Sequence, residues 1–285
     1  MQLIVLGSGT SGSNIKGIPN RYPPAFLVQW NNETLLFDCS EGVRFRLEKM
    51  GICYADLRHI AMSHAHPDHN ALVNYIHSVA FRNYVLGHKG LDLNIYAPEQ
   101  IVRDFPMVWK GYVPDDFARE EDIWPVLKFH ALPNQSMPSM QIGSGKLEAF
   151  EVFHGSGKCD ALAYRLDTPE GVFAYSGDTG DCAGIRAACS GADIFVCEAS
   201  AKIGSFESAL AYGHLTPYQA GDIAKAGNVS KLILFHYTGL EKEEQILADC
   251  RASGYDGDLV CCQDFDVFEV NKHNVLSELS VHKNA

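Results

Sequence analysis

Residues 63–69 read Ser63-His64-Ala65-His66-Pro67-Asp68-His69, three histidines and an aspartate within seven positions. The stretch closes a strand-like run, His59–Ser63, and precedes a helical pattern over Asn70–Phe81. In an extended segment alternate side chains share a side, so His64 and His66 face the same way. The chain then turns, which leaves Asp68 and His69 free to face a second point nearby. Imidazole and carboxylate are natural ligands for zinc and similar cations. These donors exceed what one tetrahedral zinc can use while still holding a water, so two ions suit the segment better.

Three further segments carry isolated groups of the same chemistry: Phe153-His154-Gly155, Ala174-Tyr175-Ser176-Gly177-Asp178-Thr179 and Leu234-Phe235-His236-Tyr237. Taken singly, each histidine reads first as a core side chain. In this order, behind His64-Ala65-His66-Pro67-Asp68-His69, the set resembles the signature of the metallo-β-lactamase superfamily. The resemblance runs from residue 1 to about 240. It implies an α/β (α+β) fold, a four-layer αβ/βα sandwich, with residues 1–285 as one domain. It also implies ligand roles: His64, His66 and His154 for one metal, Asp68, His69 and His236 for a second, and Asp178 as the bridge. An anionic bridge between two close cations makes electrostatic sense. Zinc is the expected metal, and manganese and iron accept the same donors. Redox relatives carry a glutamate where this chain has His66, which argues against oxidoreductase chemistry.

Within the superfamily the chain is most similar to the ribonuclease Z group of phosphodiesterases. Leu6-Gly7-Ser8-Gly9-Thr10 with Arg21 resembles that group's opening loop. Phe37-Asp38-Cys39-Ser40-Glu41-Gly42 resembles its Asp-Cys-Gly-Glu turn, with Ser40 in place of glycine. Cys197-Glu198-Ala199-Ser200 resembles its His-Glu-Ala-Thr motif, departing at Cys197 and Ser200, and Gly213-His214-Leu215-Thr216 resembles its later histidine motif. The resemblance makes Glu198 and His214 a proton-donating pair. A carboxylate beside an imidazole raises its pKa and fixes its orientation, and a phosphodiester needs a proton for its leaving oxygen. A helix-cap network around Thr216 is the competing use of the same residues. The His154-Gly155-Ser156-Gly157-Lys158 turn reads equally as a phosphate contact or a surface turn.

One departure bears on substrate. tRNA-processing members insert an RNA-gripping arm between the single histidine and the bridging aspartate, but here His154 and Asp178 lie only 24 residues apart. The long region from Asn83 to Ile142 carries Asp115-Asp116 and Glu120-Glu121-Asp122, which does not read as an RNA grip. The formal charge of −12 also disfavours a polyanionic partner.

The rest of the composition narrows the field. Of the 285 residues 46% are apolar, enough for a large core. No apolar run approaches the roughly 18 residues of a membrane helix, and Met1–Gly7 reads as a core strand rather than a signal peptide, so a cytoplasmic protein is expected. Nine cysteines, an odd number without a Cys-x-x-Cys pair, argue against a thiolate zinc site and a disulfide framework, and most are expected in the core.

Strands are expected at Leu3–Leu6, Ala25–Trp30, Thr34–Asp38, Leu93–Ala97, Val126–Ala131, Leu147–Phe153, Leu162–Leu166, Val172–Ser176, Ile194–Cys197, Leu232–Phe235 and Asp266–Val270. Helices are expected at Gly42–Met50, closed by Gly51, at Asn70–Phe81, Pro98–Val108 and Glu241–Ser253, and at Pro217–Ala226 capped by Thr216.

The expected activity is therefore a binuclear metal-dependent hydrolase. A metal-activated hydroxide would attack a phosphodiester, small or RNA, with Asp68 orienting the nucleophile and His214 protonating the leaving group. A hydrolase of carbon esters, thioesters or lactams and a non-catalytic metal-binding scaffold are the alternatives. Ribonuclease Z relatives are commonly dimers, which implies a homodimer, and with no long apolar run no membrane partner is expected.

Overall fold

The structure is a computed structural model and describes residues 1–11, 20–113, 121–133, 139–237 and 239–270. The acidic residues Asp115, Asp116 and Glu120 lie outside the described residues. Six strands open the chain: β1 (Gln2–Gly7), β2 (Ala25–Trp30), β3 (Glu33–Phe37), β4 (His59–Ala61), β5 (Asp92–Pro98) and β6 (Val126–Leu132). They form one sheet in chain order, antiparallel from β1 to β3 and parallel from β3 to β6. The second sheet contains β7 (Ser139–Ile142), β8 (Gly145–His154), β9 (Cys159–Thr168), β10 (Gly171–Tyr175), β11 (Ile194–Glu198), β12 (Lys231–Phe235) and β13 (Asp258–Cys261). Strands β10 to β13 run parallel. The chain then returns to the first sheet, where β14 (Val267–Glu269) pairs beside β1 with Leu3 opposite Phe268.

Apolar side chains of both inner faces make the central core. Phe26 meets Phe235 edge-on at 5.0 Å, and Phe37 meets Phe173 at 5.0 Å. Helices α1 (Val43–Lys49), α2 (Leu72–Leu86) and α3 (Glu99–Tyr112) cover the outer face of the first sheet. Helices α4 (Ala183–Cys189), α6 (Pro217–Ala226) and α7 (Glu243–Ala252) cover the second, with the short α5 (Phe206–Tyr212) at its edge. Strands covered on both faces have no wet side, which is why β2, β11 and β12 read as nearly continuous apolar runs. The outcome is the expected four-layer sandwich. No helix among the described residues is long and apolar enough to cross a membrane.

Local signals explain several boundaries. Gly51, at φ +76°, ends α1 by returning its N–H to Glu48 O at 2.9 Å. Thr216 caps α6 in a reciprocal arrangement with Gln219, with Pro217 at the first helical position. Six cysteines, at 39, 189, 197, 250, 261 and 262, are buried as expected.

Four elements were not expected from the sequence. Strands β7 and β13 span four residues each, too short for a periodic signal. Helix α4 is built of small residues, and Gly184 sits so near β8 that a Cβ there would come 1.9 Å from Glu151 O. Helix α5 buries Ala209 alone, so it carries no apolar stripe. Helix α2 also continues to Leu86, beyond the expected Phe81, and stops at Gly87 with φ +65°.

Candidate active site

The carboxyl ends of the parallel strands of both sheets open at the same edge of the sandwich, where open α/β sheets display functional groups. Asp38 follows β3, and His64 to His69 follow β4. From the second sheet come His154 at the end of β8, Asp178 after β10, Glu198 at the end of β11 and His236 after β12. Asp38 and His236 both hold left-handed backbone, at φ +58° and +64°, an uncommon conformation for non-glycine residues that concentrates at functional sites.

The residues fall into two adjoining groups. His64, His66, His154 and Asp178 present ligand atoms within 4.8 Å of one another, and Asp68, His69 and His236 do the same. In the first group His66 Nδ1 and His154 Nε2 are 3.0 Å apart. Asp178 reaches both groups: Oδ2 lies 3.9 Å from His64 Nε2, 3.8 Å from His154 Nε2 and 3.4 Å from His236 Nε2, while Oδ1 lies 3.3 Å from His69 Nε2. In the second group Asp68 Oδ2 stands 3.4 Å from His236 Nε2. All seven sequence-predicted ligands thus converge.

Three of the far ring nitrogens are held by protein, whereas His236 Nδ1 is buried without a hydrogen-bond partner among the described residues. His69 Nδ1–H donates to Asp38 Oδ2 at 2.7 Å, His154 Nδ1–H to Gly213 O at 2.9 Å, and His64 Nδ1 lies 2.9 Å from Ser63 Oγ. Such bonds fix a ring's tautomer and direction and turn Nε2 inward. Asp38, fully buried, also accepts from Ser63 N, Ser63 Oγ and Tyr175 OH at 2.6, 2.7 and 2.6 Å.

These residues suit divalent cations. His64 Nε2 and Asp178 Oδ1 are buried with no hydrogen-bond partner. Leaving a buried polar atom unsatisfied costs about 1–3 kcal/mol, and a cation among these nitrogen and oxygen donors would remove that cost. The charges agree. Burial drives the His64 pKa well down, keeping a lone pair for coordination. Burial opposes ionisation of Asp178, yet the surrounding His236 and His69 hold its pKa well below the carboxylate range.

Beside the first group stands the second predicted pair. His214 Nδ1 lies 2.8 Å from Glu198 Oε1, and the His214 ring is 4.9 Å from that of His154. Burial disfavours the charged imidazole, but the Glu198 carboxylate outweighs it and raises the His214 pKa to about 9. Glu198 is fully buried and also accepts from Thr179 N at 2.8 Å. Thr216 caps α6 through Gln219, so the cap and the pair are separate networks.

The motif departures find physical roles. Ser200 Oγ donates to Glu198 Oε2 at 2.6 Å and so keeps a hydroxyl on the carboxylate. Ser40 Oγ donates to Pro23 O at 3.0 Å and receives the buried Arg46 at 2.7 Å. Cys197 packs in the core beneath α4, α6 and α7. In the 154–158 turn Ser156 Oγ donates to Ala211 O at 2.8 Å, so that hydroxyl secures the turn to α5. Sequence reading did not assign roles to Ser63, Tyr175, Ser200 and the Gly213 carbonyl. Apart from Ser200, which reaches Glu198 two residues before it, their partners lie on distant segments, and only the placement of Asp38 in a glycine-ended turn hinted at this network.

The comparisons with known proteins agree with this geometry. A family model described as Anti-Pycsar protein Apyc1 matches residues 1–193. A Ribonuclease Z of Thermobifida fusca is 25% identical, over 92% of this chain and 92% of that one. The metallo-β-lactamase fold protein YhfI from Bacillus subtilis superposes with a TM-score of 0.74 at 18% identity, covering 93% of this chain and 97% of that one. Human tRNase Z, short form, superposes with a TM-score of 0.70 at 21% identity, covering 95% and 99%.

Proposed function

Because the chain belongs to the Anti-Pycsar protein Apyc1 family, we propose that it is a binuclear metal-dependent phosphodiesterase acting on small phosphodiesters, cyclic nucleotides among them, rather than on tRNA. The observation that carries the reading is the Glu198–His214 pair, 2.8 Å apart, at the rim of the two ligand groups. Hydrolysis of a carbon ester, thioester or lactam has no need of such a pair.

His64, His66 and His154 would hold one ion and Asp68, His69 and His236 a second, with Asp178 shared between them. Zinc is favoured, and manganese and iron suit the same donors. When bound, such a pair of ions lowers the pKa of a water toward about 7 and offsets charge developing on the phosphoryl oxygens. Asp68 stands at the second group, where its carboxylate orients the attacking water or takes its proton. His214, oriented by Glu198, hands a proton to the leaving oxygen.

The substrate reading is supported by the interval between His154 and Asp178. Strands β9 and β10 and their turns fill it, leaving no chain for an RNA-gripping arm. The negative charge of the chain points the same way. We read residues 1–285 as one cytoplasmic domain, supported by the pairing of β14 with β1. We also read the protein as a homodimer. Exposed apolar side chains on α2 and α3, among them Phe81, Tyr84, Val85, Met107 and Tyr112, support an interface there.

The test is hydrolysis of bis(p-nitrophenyl) phosphate by zinc- or manganese-loaded protein, with Asp178→Ala as background, followed by cyclic nucleotides against precursor tRNA. Metal-dependent turnover that favours the small diesters is the expected result. Absent diester turnover together with thioester or lactam turnover would overturn the proposal. So would a preference for precursor tRNA.

A further inference from the structure

Two of the three members of the second ligand group are held by the same short loop. Ser8 O accepts the backbone N–H of His236 at 2.9 Å, and the Ser11 N–H donates to Asp68 Oδ2 at 3.2 Å. His236 needs such a restraint, because its backbone sits in left-handed space. Arg21 Nη1 donates to Ser8 Oγ at 3.1 Å, and the remaining hold on Ser8 comes from the far end of the chain. Asp264, between β13 and β14, accepts from Ser8 N at 2.9 Å and Ser8 Oγ at 2.8 Å through Oδ1, and from Tyr22 N at 2.8 Å through Oδ2. Tyr22 O in turn accepts from Gly9 N at 2.8 Å, which closes the stitch. The aim of Asp264 is itself built in. Phe265, next in the chain, has φ +73°, and its N–H is pinned to Val5 O at 2.7 Å.

We infer that Asp264 is a positioning residue for the second metal, acting through Ser8 on His236 and through residues 8–11 on Asp68. It touches no ligand atom, lies outside the segment matched by the family model and belongs to none of the histidine or aspartate motifs. One carboxylate gathers three donors from two chain segments, which an amide in its place cannot do, since its nitrogen would face a backbone N–H. The first group depends on other supports: Ser63 beneath His64 and Gly213 O behind His154. Loss of Asp264 therefore acts on one metal and spares the other. Removing groups that orient metal ligands typically weakens metal binding about 10–100-fold.

The inference rests on the reading of Asp68, His69 and His236 as ligands, and the experiment separates the two. Zinc-loaded full-length native protein, Asp264→Asn and Asp264→Ala are challenged with increasing chelator, and the zinc equivalents retained are counted. Asp193→Ala serves as the control. It removes a carboxylate that accepts the Val172 N–H at 2.7 Å, at the other end of β10 from Asp178. The expected result is that native protein holds two equivalents, and both Asp264 variants lose one of them at about tenfold lower chelator while the other is retained as in native protein. Asp193→Ala should behave as native. If the alanine variant does not fold, the asparagine variant decides. Retention of both equivalents by Asp264→Asn, parallel loss of both, or the same selective loss in Asp193→Ala overturns the inference. Native protein that holds fewer than two equivalents overturns the ligand reading beneath it.

Discussion

His69 Nδ1 and Asp38 Oδ2 lie 2.7 Å apart, both fully buried, and the same carboxylate oxygen receives the Tyr175 phenol at 2.6 Å from the opposite sheet. A ligand of the second group is thereby fixed by a contact that spans the sandwich. Burial opposes charge on His69, but Asp178 and Asp38 raise its pKa well above the ordinary value, which shows how much negative charge surrounds it. Asp38→Asn should weaken the second metal about 10–100-fold, read by chelator competition. Tyr175→Phe keeps the ring in the core and should cost about 1 kcal/mol. Equal loss of both metals in Asp38→Asn would contradict this assignment.

Asp178 contacts members of both groups within 4 Å. Asp178→Ala should release both metals together and abolish turnover. Elemental analysis of the purified variant checks this, and a variant that keeps one full equivalent would show that the groups do not share this ligand.

His214→Ala should leave both metal equivalents in place and lower kcat by about 10²–10⁴-fold. The loss should be smaller for p-nitrophenolate, a good leaving group, than for an alkoxide. A uniform loss across leaving groups would remove His214 from the proton-donor role.

Gly213 stands between the two networks. Its carbonyl holds His154, its φ is +74°, and a Cβ there would come 2.6 Å from His154 Cα and 2.6 Å from Phe153 O. Gly213→Ala should destabilise the fold by about 1–3 kcal/mol and loosen the first metal more than the second. Denaturant unfolding and zinc competition together test it.

Thr216 is a helix cap rather than part of the Glu198–His214 pair. Thr216→Ala should cost about 1 kcal/mol, a fall in Tm of roughly 2 °C in a chain of this size. Loss of turnover at unchanged Tm would instead place its hydroxyl at the substrate.

The strands that line the site were legible because burial on both faces leaves long β-branched and aromatic runs, as in Leu232–Phe235. The helices that went unread are seven residues each and weakly apolar: α5 buries Ala209 alone, and α4 buries Ile185, Ala188 and Cys189 and relies on Gly184 to reach β8. The seven ligands were legible because coordination demands specific atoms, and few side chains supply them. Their supports were not. A hydrogen bond to Asp38 or Asp264 can be supplied by Tyr175, Ser8 or a backbone N–H from anywhere in the chain.

By itself, then, the sequence determined the class of fold and the chemistry of the site, through the residue types at His64 to His69, His154, Asp178, Glu198, His214 and His236. Tertiary structure alone decided how those groups are held: that Tyr175 of one sheet steadies Asp38 of the other, and that Asp264 reaches back to Ser8 across 256 positions. The physical reason is range. Ligand identity is a local property of a side chain, whereas orientation depends on hydrogen bonds, which act only within about 3.5 Å between atoms that folding must first bring together.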